Sequence, residues 1–150
     1  MNCLSFDVGG TTIKYGVINN SYEVIHKDKI PTPKDEEKFI ESLSEIIQKN
    51  INNISKVSVG MPGYVNVTSN KYLYGPHLPF EIDFSKLSNF SDYEFYLDND
   101  GNVAAYCEYF LNYKSKHSNL IMLTFGTGVG LSLIHISEPT RRRGISYAVF

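Results

Sequence analysis

The chain has 150 residues, of which 42% are apolar, 13% aromatic and 20% charged, and its formal net charge at pH 7 is -2. This composition is typical of a globular protein, and it excludes intrinsic disorder and a broad basic surface for nucleic acid. No apolar run approaches the roughly 20 residues that a helix needs to span a bilayer, which excludes a membrane-spanning chain.

Three consecutive antiparallel strands are predicted for the first thirty residues. The apolar segment 2–8 comes first, and segments 13–18 and 22–30 follow it. The pair Gly9-Gly10 makes the first turn, and an asparagine pair makes the second. The beginning of the chain is therefore expected to form a small antiparallel sheet.

A helix is predicted after the third strand. Thr32 is the expected N-cap, and Pro33 occupies the first helical position, where its missing N–H is tolerated. Apolar residues then repeat at helical spacing and predict the face that packs on the sheet: Phe39, Ile40, Leu43, Ile46, Ile47 and Ile51.

A fourth strand is predicted for residues 56–61 and a fifth for residues 93–97. The connection 64–91 between them is irregular and long for a compact domain. Such connections are usually functional or contain small elements of their own, so this one is a candidate substrate-facing segment.

The polar cluster 98–102 is predicted to be a turn, and a second helix follows it. The residues expected to line the buried face of this helix are Val103, Cys107, Phe110 and Leu111. A last strand, residues 120–125, leads into the glycine loop GTGVG at 126–130.

The basic residues of the chain are distributed unevenly. All eleven basic residues from Lys14 to Lys116 are lysine, whereas the three arginines are consecutive at positions 141–143. Residues 131–150 resemble an in-frame translation of the adaptor used in short-read sequencing libraries, with LSLIHISEPTR at the start and ISYAVF at the end of the match. We therefore predict that this tail is not native and exclude it from the fold analysis.

Two glycine loops follow predicted strands. In the first, residues 7–14 (DVGGTTIK), glycines let backbone N–H groups approach an anion, and threonine hydroxyls add donors. The second loop, residues 126–130, is a candidate to bind a phosphate from the side opposite to the first loop. Asp7 at the strand end suits a hydrated Mg²⁺ ion, which binds few carboxylates. The structural alternative for the first loop is an ordinary tight hairpin.

A third polar constellation is Asn99-Asp100-Gly101-Asn102, at a strand-to-helix junction. There a carboxylate can accept a hydroxyl proton while an amide orients the hydroxyl. Asn and Asp also favour turns and caps, which is the structural alternative. Asp98 competes with Asp100 for the role of base, and we interpret it as a strand-end turn residue.

Taken in order, four motifs of the chain resemble the ROK family of sugar kinases and sugar-responsive repressors, within the actin-like, ribonuclease-H-like ATPase superfamily. They are D-x-G-G-T-x-x-K at 7–14, G-x-P-G-x-V at 60–65, N-D-x-N-x-A-A-x-x-E at 99–108 and G-T-G-x-G at 126–130.

The resemblance implies an α/β fold: a ribonuclease-H-like (actin-like ATPase) lobe at 1–115 with a mixed five-stranded sheet and covering helices. Residues 116–130 would be the first strand and phosphate loop of a second lobe that the chain does not complete, and 131–150 the adaptor-derived tail.

The resemblance also implies ATP-dependent phosphorylation of a hexose, which is glucose, N-acetylmannosamine, N-acetylglucosamine, fructose or a β-glucoside. Asp100 would be the general base, and Gly63 and Asn99 would contact the sugar together with it. Asp7 would bind Mg²⁺ through water. The residues implied for the ATP phosphates are Asp7, Gly9, Gly10, Thr11, Thr12, Lys14, Gly126, Thr127 and Gly128. His77 is a candidate sugar contact, since relatives often have an asparagine before Leu-Pro.

Two alternative functions are a repressor of the same family and a non-enzymatic sugar-binding protein. A repressor needs a DNA-binding domain ahead of the sugar domain, whereas here the phosphate motif starts at Asp7. The intact Asp100 and both glycine loops argue against a binding protein without activity. With an incomplete second lobe, the 150-residue chain itself is expected to be inactive.

The expected partners are a small-molecule sugar and ATP, with no nucleic acid and no membrane. Because members of the family commonly form oligomers, the complete protein is expected to be a homo-oligomer. Cys3 and Cys107 show neither metal-binding nor CxxC spacing, and no signal peptide precedes the first strand, which predicts a cytoplasmic protein. Many family members carry a structural zinc ion, and its ligands lie outside the four motifs. The sequence therefore makes no prediction about zinc binding.

Overall fold

The computed structural model describes residues 2–75, 77–125 and 129–135. The chain divides into two compact units, residues 1–100 and residues 101–150. In the described ranges, neither helix combines the length and the apolar character that crossing a bilayer requires.

In its described residues the first unit contains eight strands and one long helix. In chain order they are β1 (Asn2–Val8), β2 (Thr12–Ile18), β3 (Val24–Pro31), α1 (Glu36–Asn50), β4 (Ile54–Met61), β5 (Tyr64–Asn66), β6 (Lys71–Tyr74), β7 (Ile82–Asp83) and β8 (Glu94–Asn99). Five strands form the main sheet in the order β3-β2-β1-β4-β8. β1 pairs antiparallel with β2, β2 pairs antiparallel with β3, and β1-β4 and β4-β8 are parallel. This mixed five-stranded sheet confirms the predicted α/β, ribonuclease-H-like lobe.

Side chains alternate between the two faces of the sheet along each strand, which gives the sheet one apolar face and one polar face. Leu4, Phe6 and Val8 of β1 lie on the face covered by α1, whose buried residues are Phe39, Leu43, Ile46 and Ile47. The predicted buried face of the helix is thus confirmed, with Ile40 and Ile51 packed at its border.

The helix α1 begins later than predicted, because Asp35 and not Thr32 is its N-cap. The Asp35 carboxylate accepts a hydrogen bond from the backbone N–H of Lys38 at 2.9 Å. Thr32 is buried and donates its hydroxyl to the carbonyl of Gly9, so a tertiary contact occupies the group that was expected to cap the helix.

The segment 64–91 does contain small elements of its own. β5, β6 and β7 form a three-stranded antiparallel sheet, and two short 3₁₀ turns, Phe84–Lys86 and Phe90–Asp92, follow it. Tyr72, Ile82 and Phe84 from this segment are fully buried in the same core as α1. Strands of two to four residues are too short to show an alternating pattern, which explains the irregular appearance of the sequence.

In the part of the second unit that the structure describes lie most of α2 (Asp100–Glu108), a π-helical turn (Tyr109–Tyr113) and the hairpin of β9 (Asn119–Phe125) and β10 (Val129–His135). The predicted turn at 98–102 is wrong, since Asp98 and Asn99 end β8 and Asp100 starts α2 directly. Residues 131–135 of β10 fall in the segment with adaptor resemblance.

The predicted buried face of α2 is also wrong. Val103, Cys107, Phe110 and Leu111 are exposed, and the buried residues are Ala105 and Tyr109, which cluster with Ile134 of β10. Apolar and aromatic side chains occur all round this helix, so spacing alone could not select the face. The hairpin leaves six apolar residues exposed: Ile121, Leu123, Phe125, Val129, Leu131 and Leu133.

Candidate active site

Three chain segments with candidate site residues lie at one edge of the main sheet. Because β1, β4 and β8 are mutually parallel, their carboxyl ends meet at the same edge. The glycine loop follows β1, the Pro-Gly turn at 62–63 follows β4, and Asp100 follows β8. This edge is the candidate active site.

The first glycine loop, residues 9–11, joins β1 to β2 and is held by hydrogen bonds to its carbonyl groups. The N–H of Gly9 donates to the carbonyl of Thr12 at 3.0 Å, which closes the turn. Thr32 donates its hydroxyl to the carbonyl of Gly9 at 2.7 Å and its N–H to that of Thr11 at 3.0 Å. The carbonyl groups of Gly9 and Thr11 are thus satisfied within the protein.

A lysine completes this arrangement: the ammonium Nζ of Lys34 donates to the carbonyl of Gly10 at 2.7 Å. The N–H groups of Gly10 and Thr11 donate to no group in the described part of the chain. A loop whose carbonyls are occupied and whose N–H groups remain available suits an anion. Sequence reasoning missed Thr32 and Lys34, because only the tertiary contact identifies them.

Asp7 and Lys14 are partners in the register of β1 and β2, on the polar face of the sheet. Their side chains are 66% and 71% exposed, and Lys14 Nζ lies 3.7 Å from Asp7 Oδ2. An ion pair this exposed contributes little to stability. Because both side chains are exposed, both charges are accessible to a ligand.

Asp98 lies on the same face of the sheet as Asp7, which corrects its interpretation as a turn residue. Asp7 is opposite Gly60 in the β1-β4 register, and Gly60 is opposite Asp98 in the β4-β8 register. Glycine presents no side chain between the two carboxylates. Among the described residues no three His, Cys, Asp or Glu side chains form a metal-binding group. The exposed carboxylate of Asp7 fits a hydrated Mg²⁺ ion, which keeps most of its waters and binds few carboxylates.

The polar face continues at β4 and β8 with a connected group of side chains. Lys56 Nζ lies 3.4 Å from Glu94 Oε2, and the Tyr96 hydroxyl donates to the same carboxylate oxygen. The hydrogen bond from Tyr96 and the charge of Lys56 hold the pKa of Glu94 below its usual range. Glu94 therefore stays ionised, which does not suit it as a proton donor.

Gly63 and Asn99 are brought together, as expected for residues of one site. The side-chain Nδ2 of Asn99 donates to the carbonyl of Gly63 at 2.9 Å and reaches that of Met61 at 3.4 Å. Gly63 has φ of 109°, and a Cβ there would lie 2.5 Å from the carbonyl oxygen of Tyr74. Only glycine fits this turn. Asp100, the next residue after Asn99, is exposed.

His77 lies against the glycine loop. A Cβ on Gly10 would be 2.7 Å from the Cβ and Cγ atoms of His77, so the segment 64–91 contacts the loop at this point. The exposed imidazole is thus placed beside the predicted phosphate residues. Gly126, Thr127 and Gly128 of the second loop lie outside the described residues.

The sequence profile of the ROK family matches residues 3–144. The match ends 14 residues into the segment with adaptor resemblance. The chain is 28% identical over 143 residues to the glucokinase of Streptomyces coelicolor, covering 93% of this chain and 45% of the relative. It is 29% identical over 141 residues to an N-acetyl-D-glucosamine kinase of Escherichia coli, covering 89% and 46%.

Among solved structures, a ROK family glucokinase from Streptomyces griseus in complex with glucose and AMPPNP is similar to this chain. The TM-score is 0.76 at 25% identity, and the match covers 95% of this chain and 47% of that one. The chain therefore spans about half the length of the relatives that it matches.

Proposed function

Since this chain belongs to the ROK family, we propose that the complete protein transfers the γ-phosphoryl group of ATP to a hydroxyl of a hexose. The relatives are kinases of glucose and of N-acetyl-D-glucosamine, and one structure contains glucose with AMPPNP. The observation that supports the proposal most strongly is the shared sheet edge, which gathers a glycine loop, a turn closed by Asn99 and a carboxylate at Asp100.

In this proposal the first glycine loop binds the ATP phosphates. The N–H groups of Gly10 and Thr11 donate to phosphate oxygens, the Thr11 and Thr12 hydroxyls add donors, and Lys14 adds positive charge. Residues 126–128 bind the phosphates from the second lobe. Asp7 would hold Mg²⁺ through water, and the ion would supply charge neutralisation at the γ-phosphate. Catalysis of phosphoryl transfer depends mainly on such positioning and charge.

On the sugar side, Asp100 accepts the proton of the attacking hydroxyl. Gly63 and Asn99 line the sugar, and the 2.9 Å bond between them fixes the turn that carries Gly63. His77 extends the sugar side toward the phosphate loop, because it packs on Gly10. The substrate class is a hexose or its 2-acetamido derivative.

The proposal separates the complete protein from the 150-residue chain. The complete protein is a cytoplasmic homo-oligomer that binds a sugar and ATP and no nucleic acid. The free thiols of Cys3 and Cys107 are compatible with a reducing compartment. The chain alone is inactive in this proposal, because its second lobe supplies only the β9-β10 hairpin in the described residues.

The assignment of the base is tested by substitution in the complete protein. Asp100→Asn removes the proton acceptor with little change in shape and is expected to lower kcat at least about a hundredfold. Asp98→Asn is the matched control, since it removes a carboxylate two residues away, and a far smaller loss is expected. Turnover is measured with ATP and Mg²⁺ on a panel of hexoses. Equal losses at both positions would contradict the role of Asp100, and no activity on any sugar would contradict the proposed function.

A further inference from the structure

We propose that Lys34 is a further phosphate-binding residue of this site, and this inference rests on the proposed kinase function. Lys34 lies in the connection between β3 and α1, outside all four motifs that carry the family resemblance. Its ammonium group is nevertheless bonded to the glycine loop itself, at the carbonyl of Gly10.

The connection holds the loop at three points. The Thr32 hydroxyl and N–H bind the carbonyls of Gly9 and Thr11, and Lys34 binds that of Gly10. Thr32 is only 4% exposed, one of two buried polar residues in the described part of the chain. A buried anchor two residues away restricts where the exposed ammonium of Lys34 can lie, and it keeps that charge at the loop.

The positive charge of Lys34 is not neutralised by its acidic neighbours. Asp35 pairs with Lys38, with 3.6 Å between the charged atoms, and also caps α1. Glu36 pairs with Lys86 at 2.6 Å. In the described ranges Lys34 takes part in no ion pair, whereas Lys14 of β2 lies 3.7 Å from the carboxylate of Asp7.

An ammonium group has three N–H donors, and the bond to Gly10 uses one of them. Two donors of Lys34 remain for oxygens of an anion that binds to the neighbouring N–H groups of Gly10 and Thr11. Charge-assisted hydrogen bonds to phosphate are among the stronger ones in proteins. The ligand chemistry is therefore a phosphate group, and the proposed function supplies it within the triphosphate of ATP.

The experiment compares Lys34→Gln, Lys34→Arg and Lys49→Gln in the complete protein. Losing a charge-assisted bond in Lys34→Gln is expected to raise the KM for MgATP about tenfold or more, with kcat changed less than about threefold and the KM for sugar unchanged. Lys34→Arg keeps the charge and should restore the KM for MgATP to within about threefold of the native value. Lys49→Gln removes the same charge at the opposite end of α1, where Lys49 is exposed, and should change neither constant.

Binding of inorganic tripolyphosphate with Mg²⁺ provides a second readout that does not require turnover. Lys34→Gln is expected to weaken this binding about tenfold, and Lys49→Gln is expected to leave it unchanged. If all sugars fail as substrates, the kinase proposal is wrong, but the same binding comparison still decides the role of Lys34. An unchanged KM for MgATP in an active Lys34→Gln enzyme, or equal tripolyphosphate affinity in all variants, would overturn the inference.

Discussion

The hydroxyl of Thr32 satisfies a carbonyl group at the base of the glycine loop. Its 2.7 Å bond to Gly9 joins residues 23 positions apart and ties the β1-β2 turn to the start of the helical segment. Threonine and valine have nearly the same shape, so replacing one by the other isolates the hydrogen bond from the packing.

We expect Thr32→Val to lower the free energy of unfolding by about 1 to 3 kcal/mol, because the carbonyl of Gly9 loses its donor in a partly buried place. Urea unfolding of the two proteins measures this difference. Thr32→Ser keeps the hydroxyl and is expected to recover most of the loss. If Thr32→Val were as stable as the native chain, the hydrogen bond would have no structural role.

At the scale of elements, the main sheet could largely be predicted from the sequence. The observed bounds of β1, β2, β4 and β8 differ from the predicted segments by at most two residues. Alternating apolar positions and glycine turns specify such strands locally. The start of α1 and the buried face of α2 could not be predicted, since both depend on which distant groups reach these residues.

The candidate site also contains residues that could be predicted from the sequence and residues that could not. Gly63 and Asn99 could be found because motifs contain them, and their 2.9 Å contact agrees with a shared site. Thr32 and Lys34 carry no signal in the sequence, because their function depends on the approach of one connection to another. Asp98 was misplaced for a related reason: Asp-Asn-Asp is typical turn chemistry, but here the parallel pairing with β4 extends the strand through it.

Tyr93, the residue before β8, is expected to make the stability of the fold sensitive to alkaline pH. The ring is 8% exposed and its hydroxyl donates to the carbonyl of Ser88 at 3.2 Å. Burial raises the pKa of Tyr93 from its ordinary value of 10.0 to about 12. The folded state therefore favours the neutral phenol. This contribution is complete below pH 10 and is lost as the pH rises through about 12.

The native chain is expected to lose up to about 2 to 3 kcal/mol of stability between pH 9 and pH 12 through this residue. Tyr93→Phe lacks the titrating group, so its stability should fall less over the same interval, although it loses the bond to Ser88. Unfolding by urea at several pH values checks this. Parallel pH profiles for the two proteins would show that Tyr93 is not responsible.

For the whole molecule, the origin of residues 131–150 is the first matter to settle. We expect genomic DNA amplified across this locus to diverge from the printed sequence after about residue 130. The test is independent of structure, because it compares nucleotides. If the genome encodes LSLIHISEPTR in frame, the tail is native, in agreement with the family profile that extends to residue 144.

The two units differ in the size of their buried cores, which predicts a difference in resistance to proteases. The core of the first unit includes residues from its main sheet, α1 and the segment 64–91, whereas the second has only Ala105, Tyr109 and Ile134 in the described part of the chain. We expect limited proteolysis of the 150-residue chain to cut rapidly after about residue 115, since backbone with few tertiary contacts opens at little cost in free energy. Mass spectrometry identifies the cuts, and survival of residues 116–150 would contradict this expectation.

The strand order also leads us to expect a particular order of folding events along the chain. β1, β2 and β3 are consecutive along the chain, so their pairing requires only short loops to close, whereas β4 and β8 must return from beyond α1 and beyond the segment 64–91. On the ribosome, the glycine loop and Thr32 emerge with these first strands. The contact of Asn99 with Gly63, 36 residues apart, forms only after β8 has been synthesised. In a nascent chain the glycine loop would thus form well before the part of the site around Asn99 and Asp100. Phosphate in the cell could then occupy the loop while the rest of the lobe is still folding.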